Sequence, residues 1–343
     1  MLWDKIMDWM TNDVAIDLGT ANTLVYVKGH GIVVDEPSVV AMETETKKII
    51  AVGRKAKEML GKTPEEIKAI KPMKDGVIAN FEITEAMLRD LILKSQQKKF
   101  LIRPRVIVAV PSGITEVEKR AVKESAVHSG ARKVYLVSEP LAAAIGVNLP
   151  VHEPCGNMII DIGGGTTEIA IISLSHIVDH ISIRIGGDEI DEAIVGFLRK
   201  QHNLFIGEST AEKIKIKIGS AYPLKDELTM EVRGRDLVSG FPVSMKISSN
   251  EIRKAISETV SVIVDAIKRL FEETAPELSA DIADRGVVLT GGGGQLKGFD
   301  QKIRETIDLP VTLVENPLIS VVMGSGKILD NLEEYQKVLI PNI

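Results

Sequence analysis

Two stretches of this chain share one pattern of apolar and polar positions. Val14-Ala15-Ile16 runs into Asp17 and the turn Leu18-Gly19-Thr20-Ala21-Asn22, then leaves through the alternating Thr23-Leu24-Val25-Tyr26-Val27. Met158-Ile159-Ile160 runs into Asp161 and Ile162-Gly163-Gly164-Gly165-Thr166-Thr167, then leaves through Glu168-Ile169-Ala170-Ile171-Ile172. A buried-type run, a glycine-containing polar turn and an alternating run predict a β-hairpin in each case. Their recurrence in the two halves of the chain predicts two similar domains, each presenting one hairpin. Three successive glycines carry a conformational cost, and what they offer is exposed backbone N–H groups and close approach by another molecule. With an aspartate ahead and hydroxyls behind, the turn at 161–167 reads as a phosphate cradle with a magnesium-water ligand; the competing reading is a mobile hairpin tip.

Between the hairpins, short strands at 38–42 and 49–52, a helix from about 54 and a return through Pro72-Met73-Lys74-Asp75-Gly76 predict a small insertion. A helix is predicted from about 84, with Leu88, Leu91 and Ile92 on one face, followed by a buried strand over 106–110. Thr115 and Glu118 form a capping box for a helix reaching about 129, whose alternating charges suit a face that is solvated or packed on another subunit. A strand over 133–137 leads through Ser138-Glu139-Pro140 into a helix of small residues, 141–146, with Pro140 suited to its first turn. Glu139 is either a helix-terminal charge or a carboxylate held at a cleft to orient water. Downstream, the pattern predicts helices over 189–201 and around 210–219, a hairpin over 228–248 and a long helix over 251–274. Glu212 and Lys215 stand three apart on one helix face, as a surface ion pair would. A strand at 286–290 then runs into Gly291-Gly292-Gly293-Gly294, where ligands of open α/β sheets sit. The tail reads as helical from about 326 to 335.

Composition narrows the function classes. A chain of 343 residues has room for two domains. The 42 Lys and Arg against 48 Asp and Glu leave a net charge of −6, so there is no basic field for nucleic acid. The single Cys155 cannot form an internal disulfide, and no apolar run approaches the roughly 20 residues that span a bilayer. The start lacks the features of a secretory signal, so a cytoplasmic location is expected. Residues 1–10 stand apart: Leu2, Trp3, Ile6, Met7, Trp9 and Met10 fall in one helical arc, with Asp4, Lys5 and Asp8 opposite. Such a helix suits a membrane interface, or it docks on the protein's own body or on a partner. Cations surround Phe100, Leu101 and Ile102 in the stretch 98–105, which either supports that helix at a membrane or simply joins a helix to a strand. No P-loop, His-Glu-x-x-His, paired cysteines or Gly-x-Ser-x-Gly occurs, so phosphate binding rests on the two Asp-containing hairpins.

Two Asp-x-Gly hairpins, a Glu-Pro helix start and a later Thr-Gly-Gly-Gly, in that order, resemble the actin, sugar-kinase and heat-shock-chaperone ATPase superfamily. Within it, the stretches beginning at Asp17, Glu36, Pro72, Asp161 and Arg184 are similar to the MreB family of bacterial actin-like filament proteins, over about residues 12–330. The resemblance implies an α/β actin-like ATPase fold, two similar domains around a nucleotide cleft. Domain I would cover 11–146 with an insertion at about 33–78, and the segment 325–343 would return to it. Domain II would cover 147–324 with an insertion at about 186–246, and residues 1–10 would be a membrane-targeting helix.

The same resemblance implies ATP and Mg²⁺ as ligands, the metal held through water by Asp17 and Asp161. Asp17, Gly19, Thr20, Ala21 and Asn22 would form one phosphate loop, and Gly163, Gly164, Gly165 and Thr166 the other. Glu139 would orient the attacking water beside Asp161, Glu212 and Lys215 would contact ribose or base, and Gly291, Gly292 and Gly293 would lie beneath the adenosine. Hydrolysis would be coupled to polymerisation into antiparallel paired filaments on the inner face of the cell membrane. Leu2, Trp3, Ile6, Met7, Trp9, Met10, Phe100 and Leu101 would touch that membrane. Membrane proteins of the cell-wall synthesis machinery would be partners, and rod shape the outcome. Two departures stand out: Ser138 replaces an acid found in many relatives, and Gly294 lengthens the adenosine turn. A small-molecule kinase or phosphatase of the same superfamily is the alternative, which the amphipathic start distinguishes.

Overall fold

The structure, a computed structural model, describes residues 12–96 and 103–341. The expected helix at 1–10 and the residues Phe100 and Leu101 lie outside that range. The first hairpin is β1 (Val14–Leu18) and β2 (Asn22–Val27), and β3 (Gly31–Pro37) continues it as an antiparallel meander. On the far side of β1, β4 (Arg105–Val110) and β5 (Lys133–Ser138) add in parallel, giving the order β3-β2-β1-β4-β5. The second hairpin repeats this plan. Strands β6 (Asn157–Ile162), β7 (Thr167–Ser173) and β8 (His176–Ile183) form the meander, and β9 (Val287–Thr290) and β10 (Val311–Leu313) add in parallel beyond β6. The two sheets thus have one topology. Asp17 and Asp161 occupy the same place in it, each one residue before the end of its strand.

Hydrogen bonding keeps residues through Pro37 in the first sheet. Beyond it, strands Val40–Glu43, Ile49–Val52 and Ile67–Ile70 make a separate antiparallel sheet that carries helix α1 (Arg54–Met59). Helices α2 (Phe81–Ser95) and α3 (Glu116–His128) cover one face of the first large sheet. α2 starts ahead of the expected 84 because the Asn80 side chain accepts the Ile83 N–H at 3.0 Å and caps it. The Thr115/Glu118 capping box is formed at the start of α3. Helix α4 (Glu139–Gly146) follows β5 directly.

In the second half, α5 (Gly187–His202), α6 (Glu208–Ile218), α7 (Ser249–Glu273), α8 (Pro276–Arg285) and α9 (Phe299–Ile307) surround the outer face of the second sheet. The long α7 buries Ile252, Ile256, Val260, Ile263, Ile267 and Leu270, a stripe at helical spacing that explains its length. The expected hairpin over 228–248 is Thr229–Asp236 with Pro242–Ser248, and Leu204–Phe205 joins it as a third strand.

Helix α10 (Ser320–Asp330) differs from the sequence reading, which began it near 326 and ran it to 335. It starts earlier and passes through Gly324 and Gly326, poor helix formers that hid it; tertiary packing overrides their propensity. α10 crosses α4 between the two large sheets, where Ala15 and Ile107 of the first share one core with Ile159 and Ala170 of the second. The crossing is backbone on backbone. A Cβ on Gly324 would lie 1.7 Å from the Ala142 carbonyl oxygen, and one on Gly146 would lie 2.0 Å from that of Ser320. The small-residue run Ala142-Ala143-Ala144 is what lets α4 sit so close.

Gly324→Ala should therefore lower the thermal midpoint by several degrees, since overpacking costs about 1–3 kcal/mol. Gly196→Ala, in α5 with nothing near its added methyl, should hold or raise it. Thermal unfolding followed by circular dichroism reads both.

Candidate active site

The hairpin tips of the two large sheets face each other across a cleft of about 540 Å³. All the residues assigned above to the two phosphate loops, to Glu139 and Asp161, to Glu212 and Lys215, and to Gly291, Gly292 and Gly293 line it. They come from five separated parts of the chain: 17–22, 139, 161–166, 212–215 and 291–293.

The glycines of these turns serve packing first. A Cβ at Gly164 would lie 2.8 Å from that of Ala21, and one at Gly165 would lie 2.8 Å from Thr20 Oγ1, so the two hairpin tips touch. The Gly187 and Asp188 N–H groups, at the start of α5, donate to the carbonyls of Gly163 (3.0 Å) and Gly164 (2.7 Å) and fix the second tip. Gly291 has φ +82°, and an added Cβ would fall 2.3 Å from Asp161 Oδ1, so only glycine fits beneath that carboxylate. Gly294 does not line the cleft: it lies in a tight turn, Gly293–Gln295, packed on Leu289. The extra glycine is thus absorbed by the core. A residue the sequence reading passed over, Gly76, enters the cleft from the Asp75-Gly76 turn, and its N–H donates to Thr20 Oγ1 at 3.1 Å.

The carboxylates of Asp17, Glu139 and Asp161 line the cleft, and a further one, Glu168, is buried beside them. Burial pushes Asp17 up to about 7. Burial, then the charges of Asp17 and Glu168, push Asp161 up to about 8. Glu139, the first residue of α4, is raised well above the usual range by burial and by Glu168, Asp17 and Asp161. Both aspartates line the cleft, and Asp161, at 8% exposure, is the more deeply buried of the two. Glu168 is raised by burial and held down in part by hydrogen bonds from Ser182 and Ser112. The sequence reading missed it, although the hairpin register sets it directly opposite Asp161. Two hard oxygen donors, Asp17 and Asp161, facing a cleft with their charges uncompensated, fit a divalent cation that keeps most of its water. No group of three or more His, Cys, Asp or Glu among the described residues forms an all-protein metal cage, so such an ion would draw further ligands from a bound substrate.

At the other end of the cleft, Glu212 and Lys215 do not pair with each other. Glu212 accepts from Lys57 Nζ at 2.8 Å, a contact reaching over from α1. Lys215 Nζ donates to Asp191 and to the Gly187 carbonyl, each at 2.7 Å. Burial raises Asp191 to about 6, against the pull of Lys215. Nothing in the sequence marked Lys57 or Asp191, because their roles depend on contacts between distant segments. The residues expected at a membrane lie outside the described range. At its edges, Gln96 Nε2 donates to the Asn12 carbonyl at 3.0 Å, which places residues 12 and 96 side by side. No helix among the described residues is long and apolar enough to cross a membrane.

A family model described as MreB/Mbl protein matches residues 11–337. The cell shape-determining protein MreB of Escherichia coli K12 is 51% identical over 336 residues, covering 96% of this chain and 97% of its own length. The cell shape-determining protein Mbl of Bacillus subtilis 168 is 49% identical over 325 residues, covering 95% and 98%. Among solved structures, MreB5 of Spiroplasma citri bound to ADP superposes with a TM-score of 0.90 at 38% identity, over 95% of this chain and 98% of that one.

The carboxylate cluster makes stability depend on pH. A carboxyl raised on folding binds its proton more tightly in the folded chain than in the unfolded one. Its contribution is fully present below the unfolded value of 3.8 and is lost as the pH rises through about 7 to 8. The thermal midpoint of the nucleotide-free chain should accordingly fall between about pH 5 and about pH 9. Asp161→Asn should flatten that fall; an unchanged slope would place its origin elsewhere.

Proposed function

The chain belongs to the MreB/Mbl family and has the actin-like α/β fold, and on that premise we propose that it binds and hydrolyses ATP to drive its assembly into filaments. These filaments pair antiparallel on the inner face of the cell membrane, where with membrane proteins of the wall-synthesis machinery they maintain rod shape. The observation that carries the reading is the cleft: residues from five separated stretches line one space bounded by two topologically matched hairpins. The ADP bound by the Spiroplasma relative adds support for a nucleotide there.

In this reading the triphosphate lies between the hairpin tips, where the turns at 17–22 and 163–166 bring backbone N–H groups to it. Phosphoryl transfer needs mainly positioning and charge neutralisation. A magnesium ion held through water by Asp17 and Asp161 supplies charge neutralisation on the phosphates when bound. Glu139, fixed at the start of α4, accepts a hydrogen bond from the attacking water and turns its lone pair toward the terminal phosphorus. Gly291, Gly292 and Gly293 make a floor on which the nucleoside can rest, and Glu212 and Lys215 lie at its ribose or base. The membrane reading is supported by the amphipathic pattern of residues 1–10, which carries Trp3 and Trp9, and by the Gln96–Asn12 hydrogen bond, which sets the described residues next to the two expected membrane stretches side by side. Head-to-tail contacts between copies are heterologous and need not close, which favours a filament over a ring.

Glu139→Ala should slow phosphate release by about 10²-fold or more while nucleotide affinity stays within about twofold, because the orientation of water is lost and the cradle remains. Collapse of binding would mark Glu139 as structural. Sedimentation with ATP and magnesium, with and without liposomes, should show polymer and lipid-bound polymer. Replacing Trp3 and Trp9 by polar residues should abolish co-pelleting with liposomes and leave hydrolysis intact. Turnover of a sugar without any polymer would favour a metabolic kinase instead.

A further inference from the structure

Glu168 does not line the cleft, yet its carboxylate is 1% exposed and lies among other carboxylates. A buried acid beside three others is an expensive choice in a strand whose neighbours are Ile169 and Ile171. Its two oxygens have separate tasks. Oε1 accepts from Ser182 Oγ on the adjacent strand β8, at 2.5 Å. Oε2 accepts the backbone N–H of Ser112 at 2.9 Å, and Ser112 belongs to the other half of the molecule, in the turn between β4 and α3. The two halves meet closely there: a Cβ on Gly113 would lie 3.0 Å from that of Ser182, and Arg184 pairs with Glu118 at 3.2 Å. From Ser112 the link continues. Its Oγ lies 3.0 Å from Ser138 Oγ, and Ser138 is the residue immediately before Glu139, at the start of α4.

We propose that Glu168 is a positioning residue for hydrolysis: by gripping the Ser112 N–H across the seam between the two halves, it fixes the Ser112–Ser138 link and thereby the seat of Glu139. This rests on the ATPase reading given above. A carboxylate suits the task because its two oxygens accept from both halves at once, whereas an amide or a hydroxyl brings a single acceptor oxygen. The arrangement also accounts for Ser138. A hydroxyl can join Ser112 there, whereas a further acid would add a fifth negative charge to the cluster.

The test is steady-state phosphate release by the full chain with magnesium and ATP, alongside titration with a fluorescent ATP analogue. Glu168→Ala should lower kcat by about tenfold or more, with KM and nucleotide affinity within about twofold. Glu168→Gln, whose carboxamide oxygen still accepts from Ser112, should restore kcat to within about threefold of the parent. Ser112→Ala leaves the N–H in place and removes the link to Ser138; it should lower kcat without changing affinity, and it decides the matter if Glu168→Ala fails to fold. Equal losses in the Ala and Gln variants, or an unchanged kcat in Ser112→Ala, would overturn the inference. A parent chain with no phosphate release removes the ATPase reading and this one together, whereas an active parent with an unaffected Glu168→Ala removes this one alone.

Discussion

Every charge that acts on Glu139 is another carboxylate. Asp17, Glu139 and Asp161 line one cleft with Glu168 buried beside them, and folding alone disfavours that gathering, because burial penalises each charge and the neighbours repel it. The chain meets the constraint in three ways. Asp17 and Glu139 stay open to the cleft, Asp161 holds its proton to an unusually high pH, and Glu168 accepts hydrogen bonds at both oxygens. On the proposed reading, positive charge arriving with a nucleotide would relieve this repulsion and so favour order between the two halves.

That order depends on the duplication of one sheet plan. Because β1 and β6 occupy the same place in identical topologies, Asp17 and Asp161 arrive at the cleft from opposite sides with matching geometry. The turns then touch, with Gly164 on Ala21 and Gly165 on Thr20, and α4 and α10 cross beneath them at backbone contact. Little slack remains in such an assembly. A change in separation of the tips has to be accommodated at the helix crossing or along the seam at Ser112 and Glu168, since close-packed interiors transmit displacement rather than absorb it.

Much of this was legible in the sequence, and the reasons differ from element to element. The hairpins announced themselves because two apolar runs broken by Asp and Gly leave the backbone little choice but a tight turn between strands, and the capping box at Thr115 and Glu118 is a local signal that the fold simply uses. Helix α10 was half hidden by its glycines, which are there for the sake of a neighbour rather than of the helix. Glu168 stood in the sequence only as the first residue of an alternating run. It faces inward because another part of the chain, Ser112, closes over it, and no spacing within β7 records that. Lys57 on Glu212 and Asp191 under Lys215 were hidden for the same reason: each is a meeting of segments far apart in sequence.

The place of α10 has a consequence for how the molecule is made. The inner face of the first sheet is covered by this helix, Tyr26 bonds Asp330 across a separation of 304 residues, and the Ile340 N–H reaches the Leu136 carbonyl. A chain emerging from the ribosome presents β1 through β5 long before their cover exists. The first half therefore waits, with one apolar face bare, until residues near 340 have been synthesised. Contacts of such long range close slowly and leave the unfinished chain prone to association, so the half made first is the half completed last.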